Sequence, residues 1–109
     1  MTIAAAQARM LTLTMYKSDL EYRLMNISNQ KQALALQSAQ YAAAYSEAGG
    51  TGSLDDDPYM LRIQYMDKAL EAEQKTLETQ QKAAAADLES VEKLVDTNVK
   101  KDFKLNIGS

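Results

Sequence analysis

The chain has 109 residues, enough for one domain, with 46% hydrophobic residues, 25% charged residues and a formal net charge of −3. It contains no histidine and no cysteine, which excludes disulfides, thiolate metal sites and histidine-based acid–base catalysis. The acidic balance argues against a nucleic-acid surface, and an apolar set that leans on alanine leaves a small private core, for which oligomerisation is the usual remedy.

The opening stretch from Met1 to Arg9 has no basic region followed by an apolar run, so it does not read as a cleaved secretory signal. No stretch approaches a transmembrane span. The expectation is a cytoplasmic protein, or one exported by a route that needs no cleaved signal.

A helix is predicted from about residue 3 to 47. Its apolar residues repeat every seven positions. One seam reads Ala6, Leu13, Leu20, Ile27, Leu34, Tyr41, and its partner reads Ile3, Met10, Lys17, Leu24, Lys31, Ser38, Tyr45. A heptad sustained this long signals coiled-coil-like packing. The polar Lys17, Lys31 and Ser38 weaken a simple two-stranded seam and are read as setting register or facing a second partner. Leu11, Met15, Tyr16, Tyr22, Met25 and Leu36 lie off the stripe. A helix apolar on more than one face packs against more than one neighbour, and a hairpin supplies only one.

The helix pattern breaks once, at residues 48–57. Three of the four glycines and the only proline fall between Gly49 and Pro58. Glycine accepts the left-handed geometry that closes a helix. Asp57 before Pro58 reads as an N-cap with proline at the first helical position. Ser53 with Asp56 also resembles a capping box. The run Asp55-Asp56-Asp57 lacks the spacing of a calcium loop and is better explained by helix-start electrostatics. The glycines have neither a preceding strand nor the Gly-Lys-Ser/Thr of a phosphate loop.

A second helix is predicted from 58 to about 103, followed by a short tail, 104–109. Its stripe reads Ile63, Met66, Leu70, Leu77, Ala84, Leu88, Val91, Leu94, Val95, Val99, Phe103. Large apolar residues are sparse from Glu73 to Asp87, which predicts a thin waist. Glu71–Lys75, Glu78–Lys82, Glu89–Lys93 and Asp96–Lys100 have the spacing of helical ion pairs. Residues 1–54 carry four basic against three acidic side chains, and residues 55–109 eight against twelve.

The fold class is therefore all-α: one domain, a long antiparallel two-helix hairpin, coiled-coil-like and packed in a homo-oligomer. Leu13, Leu20, Leu24, Ile27, Leu34, Leu88, Val91, Val95 and Phe103 are the expected packing and assembly residues. Tyr41, Tyr45, Tyr59 and Tyr65, with Met60 and Met66, gather on both sides of the break and are the expected tip contacts, since tyrosine and methionine are adaptable interface residues. No nucleophile is paired with a base, so the chain reads as non-enzymatic, with no cofactor and no metal. Membrane binding is not expected: an interfacial helix sets a lysine-rich polar face against bulky apolar residues, the second helix is acidic overall, and only the first helix is left as a candidate.

In this organisation the chain resembles the axial and needle-type subunits of flagellar and type III secretion systems. The resemblance lies in Leu24-Met25-Asn26-Ile27-Ser28-Asn29-Gln30, similar to the Asn-Ile segment of flagellar axial proteins, and in the Asp56-Asp57-Pro58 turn after a loose loop. It implies a subunit of a helical filament or tube, exported by such a system to the cell surface or beyond, with itself as main partner and a secretion apparatus or export chaperone as another. The alternative is a small coiled-coil adaptor or chaperone-like module that clasps another protein's helix.

Overall fold

A computed structural model describes residues 2–108, with side chains described for residues 2–101. Two helices, α1 (Ile3–Glu47) and α2 (Pro58–Gly108), form a helical hairpin through a loop at 48–57, and no strand occurs among the described residues.

Each helix end has an identifiable cause. At the start of α1 the Ala5 N–H donates to the Thr2 hydroxyl oxygen at 3.1 Å, so Thr2 is an N-cap. The end of α1 is a Schellman closure. The Gly50 N–H reaches back to the Tyr45 carbonyl at 2.9 Å and the Gly49 N–H to the Ser46 carbonyl at 3.1 Å, with Gly49 at φ +82°. At the start of α2 one Asp57 carboxylate oxygen accepts from the Tyr59 and Met60 N–H groups at 2.9 and 3.1 Å, the expected N-cap. The expected capping box does not form. The Ser53 hydroxyl oxygen accepts instead from the Asp55 N–H at 3.1 Å, closing a turn inside the loop, and Asp56 lies outside the helix. α2 also continues to Gly108, past the expected end near 103. Lys104-Leu105-Asn106-Ile107 holds no proline or glycine to stop it.

The chain divides into two compact units. In Arg23–Leu77, which holds the loop, Ile27, Leu34, Ile63 and Leu77 are buried. The Ser38 hydroxyl meets the Met60 sulfur at 3.8 Å, and the Lys31 ammonium meets the Asp67 carboxylate at 3.8 Å. Seven residues back along α1 are thus matched by seven forward along α2, which is the antiparallel heptad register. In the other unit, Met1–Tyr22 with Glu78–Ser109, the buried residues are Ala6, Leu20, Ala84 and Val91. Here the Gln81 amide donates to the Glu21 carboxylate at 3.4 Å.

Both α1 seams are the residues that face inward: every position named for them is buried or half-buried. The α2 stripe needs correction. Met66 and Val99 are exposed, while Asp67, Gln74, Gln81 and Asn98 are half-buried. A strict seven-residue step through Ile63, Leu77, Ala84 and Val91 brings those polar residues inward, and a stripe chosen for apolarity steps around them. In the stretch read as a thin waist, the inward residues are Gln74 and Leu77 in one unit and Gln81, Ala84 and Ala85 in the other.

Candidate functional site

The tyrosines predicted as tip contacts have separate roles. The Tyr41 and Tyr59 rings are 4.5 Å apart and tilted by 36°. The Tyr41 hydroxyl donates to the second Asp57 carboxylate oxygen at 2.8 Å. One aspartate therefore caps α2 and ties it to α1. Tyr45 covers the Schellman turn: its hydroxyl donates to the Thr51 carbonyl at 2.8 Å, and a Cβ at Gly50 would fall 2.6 Å from its ring. Glycine at 50 thus leaves room for the ring that seals the helix end. Tyr65 is the outlier, 75% exposed. Tyr41 and Tyr45 are thus parts of the turn, while Tyr65 faces outward.

This node makes the turn sensitive to pH. The Tyr41 hydrogen bond, followed by the Met60 and Tyr59 N–H groups, holds the Asp57 carboxyl below its ordinary value of 3.8 despite the opposing cost of desolvation. The same hydrogen bond first, then desolvation and the Asp57 charge, raise Tyr41 above 10.0. A lowered carboxylate contributes stability that is present above its unfolded value and lost as pH falls through its folded value. A raised phenol contributes stability that is present below its unfolded value and lost as pH rises through its folded value. The pair's contribution is expected to be constant between these limits and to decline at both edges. Thermal melts of wild type and Tyr41→Phe across pH check this. Parallel profiles for the two proteins at both edges would contradict it.

Several turns from the loop, α1 and α2 leave an open apolar cleft of about 400 Å³, lined by Ala33, Leu34, Tyr65, Met66, Ala69 and Leu70 among others. Met66 turns outward to this cleft instead of inward to the seam.

The residues predicted to carry assembly are placed inside the hairpin. Leu20, Ile27, Leu34 and Val91 are buried, and Leu13, Leu24, Leu88 and Val95 are half-buried; Phe103 lies outside the described side chains. Exposed large apolar residues remain on both helices: Tyr59, Leu61, Tyr65, Met66 and Val99 on α2, and a longer set away from the seam on α1. Leu11, Met15, Tyr16, Tyr22, Met25 and Leu36 are all exposed, Met15 by 64% and Leu11 by 62%. On a helix whose inward seam occupies heptad positions a and d, position f lies farthest from the seam, its neighbours b and c are equally far to either side, and each recurs at the same seven-residue step. For α1 the b and f positions, twelve from Ala4 to Ala43, are all exposed and uncharged, and the c row, from Ala5 to Gln40, carries one charge, Asp19. For α2 the b and f positions, twelve from Leu61 to Lys100, carry charge at seven: Lys68, Lys75, Lys82, Glu89, Lys93, Asp96 and Lys100; its c row, from Arg62 to Thr97, adds Arg62. Two of the predicted pairs lie on this face, Glu89–Lys93 at 3.3 Å and Asp96–Lys100 at 3.1 Å. Exposed as they are, each adds a few tenths of a kcal/mol to the helix.

This asymmetry was only half visible in the sequence. The off-stripe apolar residues stood out, but the scarcity of charge on the outer side of α1, with Asp19 alone on its three outward rows, emerges only once the seam fixes which positions face outward. Among the described residues no acidic cluster has the geometry to hold a metal ion, and no buried side-chain polar atom lacks a hydrogen-bond partner. Among the described residues, no helix is long and apolar enough to cross a membrane. No protein-family model, curated protein or solved structure matches this chain, so the two unlike helix faces carry the functional reading.

Proposed function

We propose that the protein is a non-enzymatic structural subunit of a helical filament or tube, and that the outer face of α1 is one of the contacts through which it self-associates. The observation that carries this reading is the twelve-position outer row of α1, exposed and without charge, on a hairpin whose other helix is charged at seven of its twelve. Isolated exposed apolar residues are normal, whereas Leu11, Met15, Tyr22, Met25 and Leu36 exposed along one uncharged row support an interaction surface. The charged α2 face supports solubility on the opposite side. Export by a flagellar or type III-like system belongs to the same proposal and draws on the organisational resemblance alone.

The test is a concentration series of wild type and Leu11→Glu/Met25→Glu by sedimentation velocity and negative-stain electron microscopy. Wild type is expected to form regular assemblies that the variant loses, while circular dichroism shows both to be equally helical. A wild type that stays a uniform monomer at every concentration overturns the reading. It would favour the second one, an adaptor that clasps a helix, for which the apolar cleft lined by Tyr65 and Met66 is the supporting observation.

A further inference from the structure

The outer row of α1 reads the same from both ends. In chain order it is Ala4, Ala8, Leu11, Met15, Ser18, Tyr22, Met25, Asn29, Gln32, Leu36, Ala39, Ala43. Folded about its midpoint, between 23 and 24, it matches Ala4 with Ala43, Ala8 with Ala39 and Leu11 with Leu36. Toward the centre it matches Met15 with Gln32, Ser18 with Asn29 and Tyr22 with Met25. Small residues meet small ones, leucine meets leucine, polar meets polar, and the two largest central side chains meet each other. Only Met15 with Gln32 joins unlike polarity, and those two are close in length and shape.

Neither helix formation nor the intramolecular seam calls for this symmetry, because these positions point away from α2. A parallel pairing of two copies does not call for it either, since it sets each residue against itself whatever the sequence. An antiparallel pair related by a two-fold axis does use it: in such an interface residue i meets residue j and j meets i.

Resting on the self-association reading above, we infer that the occupant of this face is a second copy of the chain, its α1 antiparallel to the first, with the two-fold axis passing between positions 23 and 24. The row from Ala4 to Tyr22 then lies on the row from Met25 to Ala43 of the second copy, and the reverse. The charges agree with this arrangement. Asp19 and Glu21 are the acidic residues flanking the row, and the antiparallel register sets neutral Asn26 across from the first and neutral Ser28 across from the second, so no like charges meet. Opposed helix dipoles also favour the antiparallel sense. The extent suffices: a row spanning Ala4 to Ala43 is about 60 Å long at ~1.5 Å per residue. With a helix about 10 Å wide, roughly 600 Å² is covered on each copy, which reaches the lower range of specific interfaces.

Because the chain has no cysteine, single substitutions report on this geometry without background. Leu11→Cys and Leu36→Cys proteins are oxidised alone and as an equimolar mixture, with sedimentation velocity on the reduced samples. The mixture is expected to give several-fold more disulfide-linked dimer than either protein alone, joined between positions 11 and 36. Linkage mainly of 11 to 11 and 36 to 36, or reduced samples that associate yet never link in the mixture, overturns the two-fold pairing and leaves self-association standing. Reduced samples, and wild type beside them, that remain monomeric overturn both. Circular dichroism of each variant establishes that the hairpin is intact, as expected for exposed positions.

Discussion

Replacing Leu20 with aspartate is expected to abolish the cooperative unfolding transition and most of the helical signal in circular dichroism. Leu20 is 1% exposed, the largest fully buried side chain described. Truncating such a leucine to alanine costs about 2–5 kcal/mol. Introducing a carboxylate with no partner adds several kcal/mol of desolvation. Small domains hold about 5–15 kcal/mol in all. The combined loss therefore takes most or all of the reserve. Leu20→Met keeps the volume and is expected to cost less than about 1.5 kcal/mol. Leu11→Asp, on the outer row of the same helix, is expected to leave unfolding nearly unchanged, within about 0.5 kcal/mol. The contrast matters because the same chemical change at two leucines on one helix separates a residue that builds the hairpin from one that faces outward. A cooperative melt in Leu20→Asp close to that of wild type would refute the inward placement of the seam.

The Lys31–Asp67 pair gives the second large effect, with the opposite sign. These charges occupy inward heptad positions, yet their side chains remain 28% and 43% exposed and their closest approach is 3.8 Å. A pair so solvated and so long contributes at most about 1 kcal/mol. Leucine at both positions buries apolar surface along the seam, and replacing a partly desolvated pair with apolar side chains of similar volume is expected to gain about 1–3 kcal/mol. For a chain of this length the gain raises Tm by roughly 10 °C. Polar residues at seam positions are best known for specifying register and partner number. The same double variant is therefore expected to associate less selectively, with a broader distribution in sedimentation velocity. A lower Tm in Lys31→Leu/Asp67→Leu would mean that the pair holds the seam by more than its geometry indicates.

The two helices and the break between them were legible in the sequence because their signals are local. A seven-residue apolar repeat, a glycine pair and an Asp-Pro step each act within a few residues of themselves. Both α1 seams followed from the repeat even where Lys17, Lys31 and Ser38 interrupted it. The α2 seam was legible only in part. Asp67, Gln74, Gln81 and Asn98 look like surface residues, and only the register imposed by α1 turns them inward. The role of Tyr41 was hidden for a similar reason: its hydroxyl meets Asp57 only after the chain has reversed. Thr2 could have been found from sequence, since a threonine just before a helical run is a common N-cap. The off-stripe apolar residues of α1 are exposed, and the residues read as carrying packing and assembly are buried or half-buried in the hairpin, with Phe103 outside the described side chains. Hydrophobic periodicity marks both faces, and only the partner helix decides which is covered.

The turn built by Tyr41, Tyr45, Asp57 and Gly50 also sets the order in which chain entropy is lost. The Tyr41–Asp57 hydrogen bond spans 16 residues, the Lys31–Asp67 pair 36 and the Gln81–Glu21 bond 60. Closing a free loop of the longest span costs about 1 kcal/mol more than closing the shortest. With the turn already formed, each further layer has only one heptad of each helix left to bring together. The hairpin can thus grow like a zipper from one short-range event, and the very residues that seal the loop make every later contact a local one.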